Sequence, residues 1–306
     1  MRIIVTGGAG FVGSHIVDAY ITAGHQVIVV DNLSTGKREN VHPEARLVEM
    51  DVGDPGLVDL FCTEKPDVVN HHAANASVSL SVREPLFDAG QNVLGTLNVL
   101  EAARQADVGK VIYISSGGAM YGTVEYLPMD EDHPASPVSP YALSKYTGER
   151  YVRLYGEIHG LRWTSLRYAN VYGPRQDPYG EAGVVAIFCQ NLQDGVVPEI
   201  HWDGEQSRDF VYAGDCAHAN LLALEGGDGQ AYNVGTGIGT SINTLFHTLT
   251  NIAGQDLTPR RGPRRPGDAR TSYLDCGKIE RELGWKARAG LREGLERTWN
   301  HFTSPR

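Results

Sequence analysis

The most restrictive feature of this sequence lies close to its start. A short apolar run, Ile3–Thr6, passes into Gly7-Gly8-Ala9-Gly10-Phe11-Val12-Gly13 and then into the helix-compatible Ser14–Asp18. Glycines at this spacing permit a tight turn, close approach of backbone amides to a pyrophosphate at a helix N-terminus, and close helix–strand packing. A second apolar run, Val27–Val30, ends at Asp31, 18 residues beyond Gly13. That matches the spacing of about 20 residues for a carboxylate that holds a ribose diol. A glycine pattern alone is weak, but here it follows a strand, opens a helix and precedes the acid. The carboxylate also repels the 2′-phosphate of NADP, so NAD is favoured as the dinucleotide, with Lys37 and Arg38 nearby as the only counter-signal.

The same alternation continues. Leu47–Met50, Val68–Asn70 and Val111–Ser115 are short runs without polar interruption, as expected of strands buried on both faces, and longer helical patterns separate them. Helices are expected over Asn92–Ala106, from Val93, Leu97, Leu100 and Ala103, and over Tyr141–His159 after Ser139-Pro140. The fold class is therefore α/β: a Rossmann-type doubly wound parallel sheet, with a smaller C-terminal α/β substrate domain where the pattern loosens. The expected division is 1–170 for the dinucleotide domain and 171–306 for the substrate domain, approximate enough for the chain to cross back. Asp51-Val52, at the end of the third run, is placed to contact adenine, with an acidic helix-cap role for Asp51–Asp54 as the alternative.

Charge narrows the partners. Lys and Arg number 27 against 37 Asp and Glu, a formal net charge of −10, which opposes nonspecific nucleic-acid binding. No apolar run approaches the length of a membrane span, and Met1–Val5 lacks the features of a secretory signal. Cys62, Cys189, Cys216 and Cys276 are widely spaced and suggest neither a metal site nor disulfides. The expectation is a cytoplasmic protein with no nucleic-acid partner, no membrane and no metal.

Tyr141-Ala-Leu-Ser-Lys145 places a phenol and an ammonium four residues apart, on one face of the expected helix. Such a pair is common on protein surfaces. Downstream of a dinucleotide loop it acquires chemistry, because an adjacent cation and a bound nicotinamide cation both favour the phenolate, making Tyr141 a usable acid or base.

With these segments in order, the sequence resembles the extended short-chain dehydrogenase/reductase family, and within it the UDP-glucose 4-epimerase-like enzymes. The resemblance rests on Thr6–Gly13, Asp31-Asn32, Asp51-Val52, His72–Ala74, Asn92–Thr96, Ser115–Gly122, Tyr141–Lys145, Arg167–Pro174, Arg208–Val211 and Arg265–Asp268. It implies cofactor contacts from Gly7, Gly10, Phe11, Val12, Asp31, Asn32, Thr35, Gly36, Asp51, Val52, Ala73, Ala74, Asn92, Ser115, Tyr141 and Lys145. In such relatives a Ser or Thr stands two places after the first Ser of the fifth strand and bonds the sugar 4-oxygen. Here that place is Gly117, leaving Ser116, Ser115 or a water to substitute, and Ser116 is taken as the catalytic hydroxyl. Gly117-Gly118 also supplies no acid for elimination or decarboxylation.

The resemblance further implies diphosphate contacts from Arg208 and Arg265, a ribose contact from Asp268, sugar or diphosphate contacts from Asn170 and Val184, and His201 against uracil. Ser272 occupies a place where some relatives carry a bulky Tyr, so N-acetylated hexoses are expected to fit. The implied activity is NAD-dependent 4-epimerisation of a UDP-hexose by a homodimer. UDP-glucuronate as substrate and a non-enzymatic dinucleotide sensor are the alternatives.

Overall fold

A computed structural model describes residues 1–179, 183–264 and 270–304. Seven strands form one parallel sheet: β1 (Arg2–Thr6), β2 (Gln26–Asp31), β3 (Arg46–Glu49), β4 (Val68–His71), β5 (Lys110–Ser116), β6 (Arg162–Tyr168) and β10 (Gln230–Val234). Their order is β3-β2-β1-β4-β5-β6-β10. The expected strands are present within one or two residues at each end. Between β6 and β10 come β7 (Asn170–Tyr172), β8 (Glu199–His201) and β9 (Ser207–Tyr212); after them β11 (Gly239–Ser241), β12 (Arg260–Gly262) and β13 (Thr271–Ser272). β11, β9, β13 and β7 make a small second sheet, and β12 pairs with β8. β10 is thus a strand of the C-terminal part that returns to the large sheet, alongside β6 from Gln230↔Thr164 to Val234↔Tyr168.

The helices are α1 (Phe11–Thr22), α2 (Leu57–Glu64), α3 (Val78–Arg83), α4 (Pro85–Ala89), α5 (Gly95–Gln105), α6 (Gly117–Met120), α7 (Pro140–His159), α8 (Val184–Gln193), α9 (Ala213–Ala223), α10 (Ile242–Ile252), α11 (Gly277–Leu283) and α12 (Leu291–Thr303). Successive strand residues point to opposite faces, so one apolar run serves two cores. Ile3, Val5, Val27 and Val29 pack with Ile16, Val17 and Tyr20 of α1 and Ala217 and Ala219 of α9. Ile4, Ile28, Val30 and Val69 pack on the other face with Phe61 of α2, Leu100 and Ala103 of α5 and Val152 of α7. A third core unites α8, α10 and α12 through Phe188, Phe246, Leu249 and Phe302. Among the described residues no helix is long and apolar enough to cross a membrane.

The helix expected from Asn92 is more elaborate than its periodicity implies. Residues Gly90–Leu94 form a π turn that runs into α5 at Gly95. The Thr96 hydroxyl donates to the Asn92 carbonyl at 2.6 Å. A side chain on that acceptor competes with the amide four residues on and favours a wider turn.

Candidate functional site

Strand order reverses between β1 and β4, and open α/β sheets bind ligands in the crevice above such a switch point. The glycine loop lies there. Gly7 has φ +69°, and a Cβ on it would stand 2.6 Å from the Ala73 amide nitrogen. A Cβ on Gly13 would meet the Gly7 carbonyl oxygen at 2.2 Å. Gly10 is the residue before α1, and Phe11 and Val12 form its first turn, half-buried. The loop therefore presents bare backbone to the crevice.

Asp31 ends β2 at 7% exposure. Its oxygens accept from the Ala9 amide at 3.0 Å and the Leu33 amide at 2.8 Å. A side chain at Gly36 would press on this carboxylate, with a Cβ 2.8 Å from Oδ1, while Thr35 stands exposed beside it. Asn32 donates to Asp51 at 2.6 Å, joining two expected cofactor residues. The second Asp51 oxygen accepts from the Gly53 amide at 2.7 Å, and Gly56 is the residue that precedes α2. The helix-cap alternative for Asp51–Asp54 is thereby corrected: each carboxylate closes a local turn instead, that of Asp54 by accepting from the Gly56 amide at 2.7 Å. Val52 is buried, with its carbonyl taken by Asn98 at 2.7 Å. Ala73 and Ala74 follow β4, next to His72, whose buried Nε2 has no hydrogen-bond partner. A cradle that a Cβ at Gly7 or Gly13 would fill, the Asp31 carboxylate at its edge and an orphaned ring nitrogen at the crevice fit a dinucleotide.

The catalytic helix is set by its ends. The Ser139 hydroxyl accepts from the Ala142 amide at 3.2 Å, Pro140 occupies the first turn, and Gly160 terminates α7 in the left-handed conformation. Tyr141 and Lys145 consequently sit one turn apart. Lys145 is 5% exposed, its Nζ 4.9 Å from the Tyr113 ring centroid. Burial lowers its pKa to about 8, against the opposing pull of Asp88 and Glu149. Burial raises the Tyr141 phenol, the Ser116 hydroxyl facing it pulls the other way, and the Asp88 charge adds to the rise. His71 and His72, on and just after β4, are held neutral, both lowered to about 3 by burial and then by Lys145.

The two serines at the end of β5 point apart. Ser115 donates to the Met120 sulfur at 3.7 Å, away from Tyr141. Ser116 is the one that faces the phenol. Gly117 has no room for a side chain: a Cβ would lie 2.9 Å from Leu274 Cδ1 and 3.2 Å from the Arg167 carbonyl oxygen.

One expectation is corrected. The Asn92 side chain, assigned to the cofactor, is 2% exposed and engaged by the protein. Its Oδ1 accepts from the Asn75 amide at 2.7 Å, and its Nδ2 lies 3.0 Å from the Asn75 carbonyl oxygen, from Asp88 Oδ1 and from Ser144 Oγ. Asn92 is a knot tying α4, the Asn75 loop and α7 together. Asp88, Asn75 and Ser144 were missed in the sequence; the Asp88–Asn92 spacing of one helical turn was the available signal.

On the other side of the crevice, Asn170 begins β7, exposed and directed toward Gly118. Val184 opens α8, half-buried. Arg208 and Ser272 are register partners on β9 and β13. His201 lies in β8, its Nδ1 3.2 Å from the Pro263 carbonyl oxygen. Arg265 and Asp268 lie outside the described residues. A cleft of about 450 Å³ opens between Gly122–Val124 and Leu127 on one side and Arg270 and Thr271 on the other, next in sequence to Ser272.

The fold and this site define a dinucleotide-binding α/β protein with a half-buried tyrosine and a buried lysine beside the cofactor crevice. The chain belongs to the NAD dependent epimerase/dehydratase family, whose model matches residues 3–235, and its cofactor is NAD. It is 44% identical over 308 residues to a UDP-glucose 4-epimerase of Mycolicibacterium smegmatis, covering 99% of this chain and 98% of the relative. The UDP-glucose 4-epimerase of Thermotoga maritima, solved with UDP-glucose, superposes with a TM-score of 0.97 at 48% identity, covering 99% of this chain and 98% of that one. The UDP-glucose 4-epimerase of Thermus thermophilus, solved with NAD, gives 0.93 at 45% identity, with 99% of both chains covered.

Proposed function

We propose that this protein interconverts UDP-galactose and UDP-glucose by oxidation and re-reduction at the sugar C4. The observation that carries the reading is the group of half-buried Tyr141 and Ser116 with buried Lys145 beside a dinucleotide cradle. NAD, when bound, supplies the hydride acceptor and then the donor. Tyr141 takes the proton of the sugar 4-hydroxyl and returns it to the 4-ketose after the sugar has turned over. Lys145 favours the phenolate that this requires, since a neighbouring ammonium stabilises a developing anion. Ser116 bonds the 4-oxygen, in the role that Gly117 cannot fill.

Arg208 holds the diphosphate, together with Arg265, while Asp268 takes the uridine ribose, His201 lies against the base, and Asn170 and Val184 contact the sugar diphosphate. The nearly buried, small Ser272 supports entry of N-acetylated hexoses. The division at about 170 assigns the NAD cradle to the first part and the UDP-sugar contacts to the second.

The working unit is a homodimer. Supporting this is an apolar band of Val82, Leu86, Leu94, Leu143, Leu154 and Ile158, exposed between 41% and 89%, on α3, α4, the π turn and α7. Of the apolar positions expected on Val93–Ala103, Leu100 and Ala103 are buried inside the chain, while Val93 and Leu97 are half-buried. Four free cysteines suit a reducing, cytoplasmic setting.

The test is incubation of the purified protein with UDP-galactose, without added cofactor, following the sugar anomeric protons by NMR. UDP-glucose should appear, with NAD recovered from the denatured protein. Failure to convert after NAD is added would overturn this substrate assignment and move weight to UDP-glucuronate, assayed in the same way.

A further inference from the structure

Asp88 is a carboxylate with 1% exposure on a five-residue helix, α4. Its Oδ1 accepts from Asn75 Nδ2 at 2.9 Å and from Asn92 Nδ2 at 3.0 Å, both neutral donors. No cation stands within ion-pair distance of it among the described residues. A carboxylate sealed from water and held only by neutral amide donors is costly to keep charged. The protein nevertheless surrounds it with well-made hydrogen bonds. Asn92 continues the chain of contacts to Ser144 Oγ, which donates to the Tyr141 carbonyl at 2.9 Å. The carboxylate is therefore connected to the first turn of α7, and both members of the working pair sense its charge.

We propose that Asp88 is a positioning residue for the Tyr141–Lys145 pair: through Asn92 and Ser144 it fixes the start of α7, and its negative charge sets the pH range over which the pair works. This rests on the roles given to Tyr141 and Lys145 above. The charge favours protonation of both groups, so removing it moves both in one direction. The other titratable groups facing the pair are Glu149 on α7, His71 and His72 at the end of β4, and Tyr113 on β5. Glu149 is bound to Arg167 at 2.6 Å and the two histidines are neutral, which leaves Asp88 as the carboxylate of the group that has no direct ion-pair partner among the described residues.

The experiment is the kcat against pH profile with UDP-galactose for the unaltered protein, Asp88→Asn and Asp88→Glu. In Asp88→Asn both the acidic and the alkaline limb should move to lower pH by about one unit. Asp88→Glu should bring both limbs back while kcat stays reduced. An ultraviolet difference titration of Tyr141, against the same protein carrying Tyr141→Phe and without substrate, should show its midpoint falling by a similar amount. Should Asp88→Asn not fold, Asp88→Ser is read in the same way. A lower kcat with unmoved limbs and an unmoved midpoint overturns the electrostatic role and leaves Asp88 as scaffolding. Should Tyr141→Phe itself retain turnover, the base assignment fails, and that result is distinguishable from a failure of this proposal alone.

Discussion

Restoring a hydroxyl at Gly117 should harm the protein rather than help it. In Gly117→Ser the new Cβ would stand 2.9 and 3.3 Å from the two Leu274 methyls and 3.2 Å from the Arg167 carbonyl oxygen. Carbon contacts prefer about 3.5–4.0 Å, so something must move by several tenths of an ångström. Leu274 is 1% exposed and the Arg167 carbonyl is backbone, so neither yields freely. Overpacking of this kind costs about 1–3 kcal/mol. At about 2 °C per kcal/mol for a chain of this size, the unfolding midpoint should fall by about 2–6 °C. Turnover should not rise, because the added side chain starts on the Leu274 side, whereas Ser116 faces Tyr141. Ser116→Ala should lower kcat by about a hundredfold, as for loss of one hydrogen bond to a developing oxyanion. The assay is thermal unfolding together with initial rates on UDP-galactose for both single variants and the pair. A Gly117→Ser protein of unchanged stability that rescues Ser116→Ala would refute the reasoning.

Other outcomes follow from the same geometry. Tyr141→Phe should abolish turnover while leaving the circular dichroism spectrum and the bound NAD unchanged, and substantial remaining activity would count against the phenol as acid and base. Gly13→Ala should cost retention of NAD, measured as cofactor recovered per chain, because its Cβ would meet the Gly7 carbonyl at 2.2 Å and reshape the cradle. His71 and His72 take protons near pH 6.5 when unfolded but only near 3 when folded, so the unfolded chain binds more protons across that window. Stability should therefore fall as pH drops below 6.5, by about 1.4 kcal/mol per unit for each histidine, with no contribution to the slope above it. Urea unfolding at pH 7, 6 and 5 checks this, and His72→Gln should flatten the slope; an unchanged slope is the contrary result. Ser272→Tyr should slow UDP-N-acetylhexosamines more than UDP-galactose, and equal loss on both would remove Ser272 from the specificity argument.

The parts of the site that sequence reveals are those built by one contiguous stretch. Gly7–Gly13 with Asp31 is such a case, since the turn, the helix start and the acid all belong to a single β–α–β unit. Tyr141 and Lys145 are another, because helical periodicity alone puts them on one face. The choice between Ser115 and Ser116 needed the third dimension, as it turns on which face of β5 lies under α7. Asp88 escaped notice because a lone acid in a short helix looks solvated until Asn75, Asn92 and Ser144 are brought around it from three parts of the chain. Asn92 stands in a segment expected to touch the cofactor, yet its side chain serves the scaffold, a distinction that depends on tertiary hydrogen bonds absent from local pattern. The π turn escaped for the same reason: Gly90–Leu94 keeps an apolar helical rhythm, and only the Thr96 hydroxyl on the Asn92 carbonyl distinguishes it.

The return of the chain to β10 has a bearing on how this molecule can be cut. A fragment ending near residue 170 would strip β6 of its neighbour and leave the unpaired amides and carbonyls of Thr164–Tyr168 along an open edge. Bare edges of that kind recruit strands from other molecules. It would also unseat Tyr232 and Val234 from the core they share with Leu166 and Tyr168, and remove Asn233, which donates to the Met129 carbonyl at 3.0 Å and accepts from the Tyr121 hydroxyl at 2.7 Å. The nucleotide half is therefore completed by residues translated long after it, and a nascent chain holds its last parallel partner in waiting until residue 234 has emerged.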